Sequence, residues 1–478
     1  MNYKMILYTL GWILLFESAF LMIPALTALI YIEMKALLAF LLTAGACLLV
    51  GYFLSRKKPQ NTTLRAREGF VIVSLSWIVL SLFGSAPFML TGVTRNFVNA
   101  LFETVSGFTT TGATIFADVE ILPRSVIMWR SVTHFVGGMG VLVFIMAFLP
   151  LSGGQNLHLM KAESTGANVT KTAPKIRTTA IMLYTAYIVL TAIQTIMLVC
   201  GDMSFFYAIN TALSTAGTGG FGFLNSSMGS FSPYSQVVVT VFMLIFSINF
   251  GAYFLLLRGK IKAALTSEIK TFVVIVALAT ALITLNIRSM FGSIGEALRH
   301  SAFTVASIIS TTGFSTVDFD LWPAFSEMIL IILMFIGACA GSTGGGIKVS
   351  RIIVTFKLMC RELSAAIRPK QVKRISLDGQ VQETSVVRSI YGYIFCFIAV
   401  FAGSLLLISL NGADFTTNFT AVTSAVGNVG PGLSKVGPTM NYSFFSPLSK
   451  LVLIFDMFAG RLEFFPVLLL FSPSTWRK

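Results

Sequence analysis

Residues 97–112, FVNALFETVSGFTTTG, decide the reading of this chain. The first dozen are amphipathic, too short and too polar to cross a bilayer, where a spanning helix needs about 20 predominantly apolar residues. They run into Thr109-Thr110-Thr111-Gly112 and lie between two long apolar stretches, 69–92 and 125–150. A half-helix that enters the membrane and returns is the natural expectation. Non-helical backbone at that depth survives only where it is buried in protein or lines a wet path.

The arrangement recurs roughly every hundred residues, the mark of one structural unit used several times. Stretches 204–215 (SFFYAINTALST), 296–311 (EALRHSAFTVASIIST) and 414–425 (DFTTNFTAVTSA) lead into Ser214-Thr215-Ala216-Gly217, Ser310-Thr311-Thr312-Gly313 and Ser424-Ala425-Val426-Gly427. A single such tripeptide is common in loops; four in matching positions of four matched hairpins point to a ring. Glycine takes conformations closed to other residues, so the carbonyls beside it can turn toward a common axis and replace an ion's water shell. The half-helices would aim their negative dipole ends at the path of a cation. The expected ion ligands are the backbone of Thr110, Thr111 and Gly112, of Thr215, Ala216 and Gly217, of Thr311, Thr312 and Gly313, and of Ala425, Val426 and Gly427.

Composition agrees. Hydrophobic residues make up 55% of the chain and charged residues 11%, against about 25% charged in soluble domains. Apolar spans are expected at 3–31, 36–54, 69–92, 125–150, 178–200, 233–257, 270–287, 325–346, 387–410 and 447–472, which puts both termini on one side. The net charge of +15 follows topology: 25 of the 34 Lys and Arg fall on the side of the termini, including Lys161, Lys171, Lys175 and nine residues between Lys348 and Arg388. That is the positive-inside pattern, and it argues against nucleic acid as a partner. The five cysteines form no C-x-x-C, and His134, His158 and His300 form no metal cluster.

The expected fold is an all-α polytopic membrane protein: two peripheral helices (1–60), then four helix–pore-loop–helix repeats with pseudo-fourfold symmetry (61–160, 161–262, 263–360 and 361–478). These motifs resemble the superfamily of Trk, Ktr and plant and fungal potassium transporters. The matching segments are Phe102-Glu103 with Ser106 to Thr114, Ser214 to Phe221, Ser310 to Ser315, and Ala425 to Gly432. The extra N-terminal pair of spans is most similar to the TrkH branch. The resemblance implies potassium as the bound and transported ion, uptake across the plasma membrane (the bacterial inner membrane), a homodimer with one pore per subunit, and a cytosolic nucleotide-binding regulatory ring. Passive flow and symport with sodium or protons both remain open.

Residues 337–348, GACAGSTGGGIK, crowd five glycines into the eighth span. Each costs roughly 1 kcal/mol against alanine in a helix, so the helix should break. A phosphate loop is excluded because no Gly-Lys-Ser/Thr follows and no strand precedes it. Gly341, Ser342, Thr343, Gly344, Gly345, Gly346 and Lys348 are expected to form an intramembrane plug, and in the resembled family this segment gates. Arg461, inside the last span, is expensive there. It either pairs with Asp456 or Glu463, or stands as a fixed positive charge below the filter that limits cation flow. Arg130 and His134 are expected to hydrogen-bond between helices. Glu103 either anchors the first half-helix or adds negative potential near the entrance. Residues 346–388 would dock a regulator or simply set topology beside anionic lipid. Two rivals lie in other classes. An organic-solute transporter favours two inverted repeats, and a membrane enzyme would need a carboxylate or histidine cluster.

Overall fold

The computed structural model describes residues 1–61, 64–140, 176–368 and 374–477, and most of them are helical. Helices α1 (Tyr3–Ile30) and α2 (Met34–Ser55) form a hairpin. It crosses where a methyl on Gly11 would lie 2.9 Å from the Gly51 carbonyl oxygen and one on Gly51 2.8 Å from that of Gly11. In the connecting turn, the Glu33 carboxylate accepts the N–H groups of Arg124 and Ser125 at 2.7 and 3.0 Å. This fastens the hairpin to the first repeat.

Four units follow. The first is α3 (Ala66–Gly84), α4 (Ala86–Leu90), α5 (Phe97–Phe108) and α6 (Arg124–Gly138). The second is α7 (Ile176–Val199), α8 (Phe205–Ala216), α9 (Pro233–Phe246) and α10 (Phe250–Leu257), with the short α11 (Ile261–Ala264) after it. The third is α12 (Ser267–Ile287), α13 (Ile294–Ile309), α14 (Ala324–Ile336) and α15 (Val349–Ile367). A two-residue ladder pairs Ser376 with Val381 and Leu377 with Gln380. The fourth is α16 (Thr384–Ser409), α17 (Phe415–Gly427), α18 (Pro447–Arg461), α19 (Phe465–Phe471) and the short α20 (Pro473–Trp476).

The amphipathic stretches are the half-helices α5, α8, α13 and α17, each 12 to 16 residues long. The outer helix after each half-helix starts at proline: Pro123 and Pro323 precede α6 and α14, while Pro233 and Pro447 open α9 and α18. The fixed φ and missing N–H of proline suit a helix start.

Six helices among the described residues are long and apolar enough to cross a membrane, not ten. The difference lies in the second helix of each repeat. Span 233–257 bends by 93° between α9 and α10. Span 325–346 stops at Ile336, and span 447–472 breaks at Glu463 and Phe464, both at positive φ. Span 125–150 is helical to Gly138, and residues 141–175, with Lys161, Lys171, Lys175 and His158, lie outside the described residues. So does the expected boundary at 160, while those at 262 and 360 fall inside α11 and α15.

Candidate functional site

Each half-helix ends in the same turn. A residue in left-handed conformation follows the helix: Thr110 (φ 57°), Thr218 (53°), Thr311 (60°) and Asn428 (54°). Two residues later comes a glycine at positive φ: Gly112, Gly220, Gly313 and Gly430. The residue between them sends its N–H back six residues, inclusive, to a serine carbonyl. Thr111 reaches Ser106 at 2.9 Å, Gly219 reaches Ser214 at 2.9 Å, Thr312 reaches Ser307 at 2.8 Å and Val429 reaches Ser424 at 2.9 Å. This is the Schellman closure of a helix end. The serine hydroxyls add a second tie in three repeats: Ser214 donates to Phe221 O at 3.3 Å, Ser307 to Phe314 O at 2.6 Å and Ser424 to Gly430 O at 2.7 Å.

The structure therefore shifts the expected register in two repeats. Thr215 and Ala216 are the last residues of α8, with Gly217 as its C-cap at φ −69°. Ala425, Val426 and Gly427 all belong to α17. They match Gly107, Phe108 and Thr109 of the first repeat, about one helical turn short of the turn itself. Gly217 and Gly427 are small because neighbours crowd them. A methyl on Gly217 would meet the His134 backbone, and one on Gly427 would lie 3.1 Å from Met334 O. The residues that occupy the turn in these two repeats are Thr218, Gly219, Gly220, Asn428, Val429 and Gly430. The signal that finds them is Ser-x-x-x-Thr/Asn-x-Gly, present at 106–112, 214–220, 307–313 and 424–430.

The four turns touch in cyclic order. A methyl on Gly112 would strike the Gly219 carbonyl oxygen, one on Gly220 that of Thr312, one on Gly313 that of Val429, and one on Gly430 that of Thr111, the last at 2.6 Å. Asn428 adds a side-chain link, donating to Thr111 Oγ1 at 3.0 Å and Met457 O at 2.9 Å. A second closed circuit joins the loops beyond the turns. Val119 N–H donates to Asn225 Oδ1 (3.0 Å), Met228 N–H to Ser315 O (2.9 Å), Ser434 N–H to Asp320 Oδ1 (2.7 Å) and Tyr442 N–H to Thr114 O (2.8 Å). In that circuit the Asn225 amide holds the Asp118 carboxyl below the usual carboxylate range.

Buried charge anchors the first two turns. Glu103 Oε1 accepts from Arg130 Nε at 2.8 Å, and Glu103 Oε2 from the Ile115 N–H at 3.0 Å. Arg130 also donates to Gly222 O at 2.8 Å and lies 4.1 Å from the Phe221 ring centre. His134 stacks on the same ring at 4.2 Å. Of the two readings of Glu103, the contacts are those of an anchor.

Residues 337–348 fold back beneath the ring. Gly345 N–H donates to Thr311 Oγ1 at 2.7 Å, and a methyl on Gly344 would lie 2.8 Å from Ser310 O. The break between α9 and α10 receives the loop. Asn249 donates to Ala340 O at 2.7 Å, Phe250 N–H to Gly341 O at 3.2 Å, and Thr343 Oγ1 to Phe246 O at 3.1 Å. One oxygen of Glu268 spans both limbs, accepting from Ala340 N–H at 2.8 Å and Ser350 N–H at 3.0 Å. Ser342 bonds back to Cys339 O at 2.7 Å, the Lys348 ammonium donates to Gly344 O, and Gly346 turns at φ 78°.

Arg461 makes neither expected ion pair. Glu463 pairs with Arg351 at 2.5 Å, and Asp456 takes the Ser404 hydroxyl at 2.6 Å. The Arg461 guanidinium donates to Thr343 O at 2.6 Å, Gly137 O at 2.5 Å and Gly138 O at 2.7 Å. It thus joins the loop to the end of α6. With Lys348 it lines a cavity of about 120 Å3 beside Gly344 and Gly345.

A family model described as TrkH, cation transport protein, matches residues 37–478. The Trk system potassium uptake protein TrkH of Salmonella typhimurium is 34% identical over 486 residues, covering 100% of both chains. TrkG of Escherichia coli is 30% identical over 486 residues and 99% of both. The crystal structure of the potassium transporter TrkH from Vibrio parahaemolyticus matches with a TM-score of 0.90 at 31% identity, again over 100% of both chains.

Proposed function

The chain belongs to the TrkH family of cation transport proteins, a family of transporters and not of enzymes, and from that membership we propose that it takes up potassium through a channel-like pore. The observation that carries this reading is the cyclic contact of four identical turns, each glycine backed against the carbonyl of the next. Three β-branched threonines held in left-handed backbone are strain of the kind that persists at functional sites. The ion's ligands are the carbonyls at Thr110–Gly112, Thr218–Gly220, Thr311–Gly313 and Asn428–Gly430. The loop 337–348 and Arg461 form the gate: a positive group and a fold of backbone beneath the ring raise the barrier to a cation. The membrane is the bacterial inner membrane, with both termini cytoplasmic. The working unit is a homodimer under a cytosolic nucleotide-binding regulatory subunit.

Rubidium uptake in cells lacking their own potassium systems tests the reading. Gly112→Ser and Gly220→Ser should each lower potassium-over-sodium selectivity while the protein still reaches the membrane, because a side chain at either place strikes a carbonyl of the next turn. Gly403→Ala, where a methyl would meet nothing within 4 Å, should leave it unchanged. Wild-type selectivity in both serine variants would sink the carbonyl-ring reading.

A further inference from the structure

Behind the first half-helix lies a cavity of about 140 Å3 that the pore does not use. Among the described residues, its walls come from α1, α3, α5, α6 and α7. Six of its lining side chains are aromatic: Phe16, Phe20, Phe108, Trp129, Phe135 and Tyr184. Among the described residues, one carboxylic acid lines it, Glu17. Glu17 is 2% exposed, and neither of its carboxyl oxygens has a hydrogen-bond partner among the described residues. The other buried acids at membrane depth are answered: Glu103 by Arg130, Glu268 by two backbone N–H groups, Asp456 by Ser404. An unanswered carboxylate in apolar surroundings is costly, and a bound cation would supply the missing partner.

The surroundings say which cation. A bare alkali ion needs oxygen ligands to replace its water, and the described residues make these walls almost entirely hydrocarbon. Aromatic faces attract an organic ammonium through the ring quadrupole, within about 6 Å of the ring centre, and its methyl groups bury against the same rings. The size is also restrictive, since an apolar cavity of about 150 Å3 admits a guest the size of benzene. Glu17 lies near the middle of α1 (Tyr3–Ile30), far from where a lipid headgroup would sit. We propose that this cavity is a binding site for a small organic ammonium ion, its charge against Glu17 and its methyl groups among the rings. The site adjoins the pore. Phe108 is the last residue of α5, and Phe135 and Val136 immediately precede the Gly137 and Gly138 carbonyls that hold Arg461.

The test uses the purified full chain in detergent with saturating potassium chloride, so that the filter is already occupied. Tetramethylammonium chloride is titrated while the thermal unfolding midpoint is followed. Sodium chloride and the uncharged near-isostere tert-butanol serve as references. The midpoint should rise saturably with tetramethylammonium and with neither reference. Glu17→Gln should move half-saturation upward by tenfold or more while rubidium uptake without the ligand persists. Ile188→Trp, which fills the cavity from its half-exposed rim and leaves the Glu17 side chain in place, should do the same. No saturable response in the wild type would overturn the proposal, as would titrations of either variant that overlie the wild type. Equal action by tert-butanol would reduce the site to an apolar void.

Discussion

Three threonines at φ between 53° and 60° occupy a conformation that costs an ordinary residue about 1–2 kcal/mol. Asn428 stands at the fourth place, and asparagine tolerates that conformation better. Its side chain also ties two repeats, through Thr111 Oγ1, and reaches α18 through Met457 O. The two contributions can be separated. Asn428→Gly removes only the side-chain bonds, whereas Asn428→Ala also forces a Cβ into left-handed backbone. The alanine variant should therefore be the less stable by about 1–2 kcal/mol, read as the lower unfolding midpoint in detergent. Equal midpoints would mean that backbone strain at this turn is not felt.

At the scale of elements, residues 337–348 are held from two sides. The loop 337–348 is held on one side by the α9–α10 break and Glu268, and on the other by Arg461. A lone carboxylate oxygen that binds N–H groups of both limbs keeps the loop folded, since opening would leave those donors unsatisfied at membrane depth. Glu268→Ala should raise uptake severalfold in the absence of any regulator. Glu268→Gln, which keeps an acceptor oxygen, should stay near wild type. An alanine variant that is folded but no faster would show that the loop is a fixed kink. Arg461→Ala should likewise raise flux, because it removes a positive group together with its hydrogen bonds to the loop at Thr343 O and to α6 at Gly137 O and Gly138 O. An unchanged flux would place that charge off the ion's path.

Across the whole molecule, the ring and the outer circuit close only when all four repeats are in place, since each is completed by a bond or contact from the fourth repeat to the first. Ion binding should then stabilise the entire fold. A ligand that binds only the native state adds RT ln(1 + [L]/Kd), about 2.7 kcal/mol at a hundredfold excess over Kd. Potassium should raise the unfolding midpoint above that in sodium at equal ionic strength, and Gly112→Ser should abolish the difference. A midpoint indifferent to the cation would argue that the turns hold no ion.

Composition, apolar periodicity and repetition were enough to read the membrane class, the four half-helices and the break in the third repeat. These depend on residues close together in the chain, where helical spacing, proline starts and clustered glycines act locally. The register of two turns was not legible in the same way. Gly217 and Gly220, or Gly427 and Gly430, are equally plausible glycines in isolation. Which of them turns is decided by where the helix stops, and the helix stops where His134, Met334 and the neighbouring repeat leave room for it to stop. The partner of Arg461 was hidden for the same reason. Two acids lie close to it in sequence, yet both are taken by groups from other helices, and its guanidinium meets carbonyls from residues 137, 138 and 343. Local chemistry sets the elements. The closure of the ring sets which atoms meet, because only the packed repeats bring such distant residues within hydrogen-bond reach.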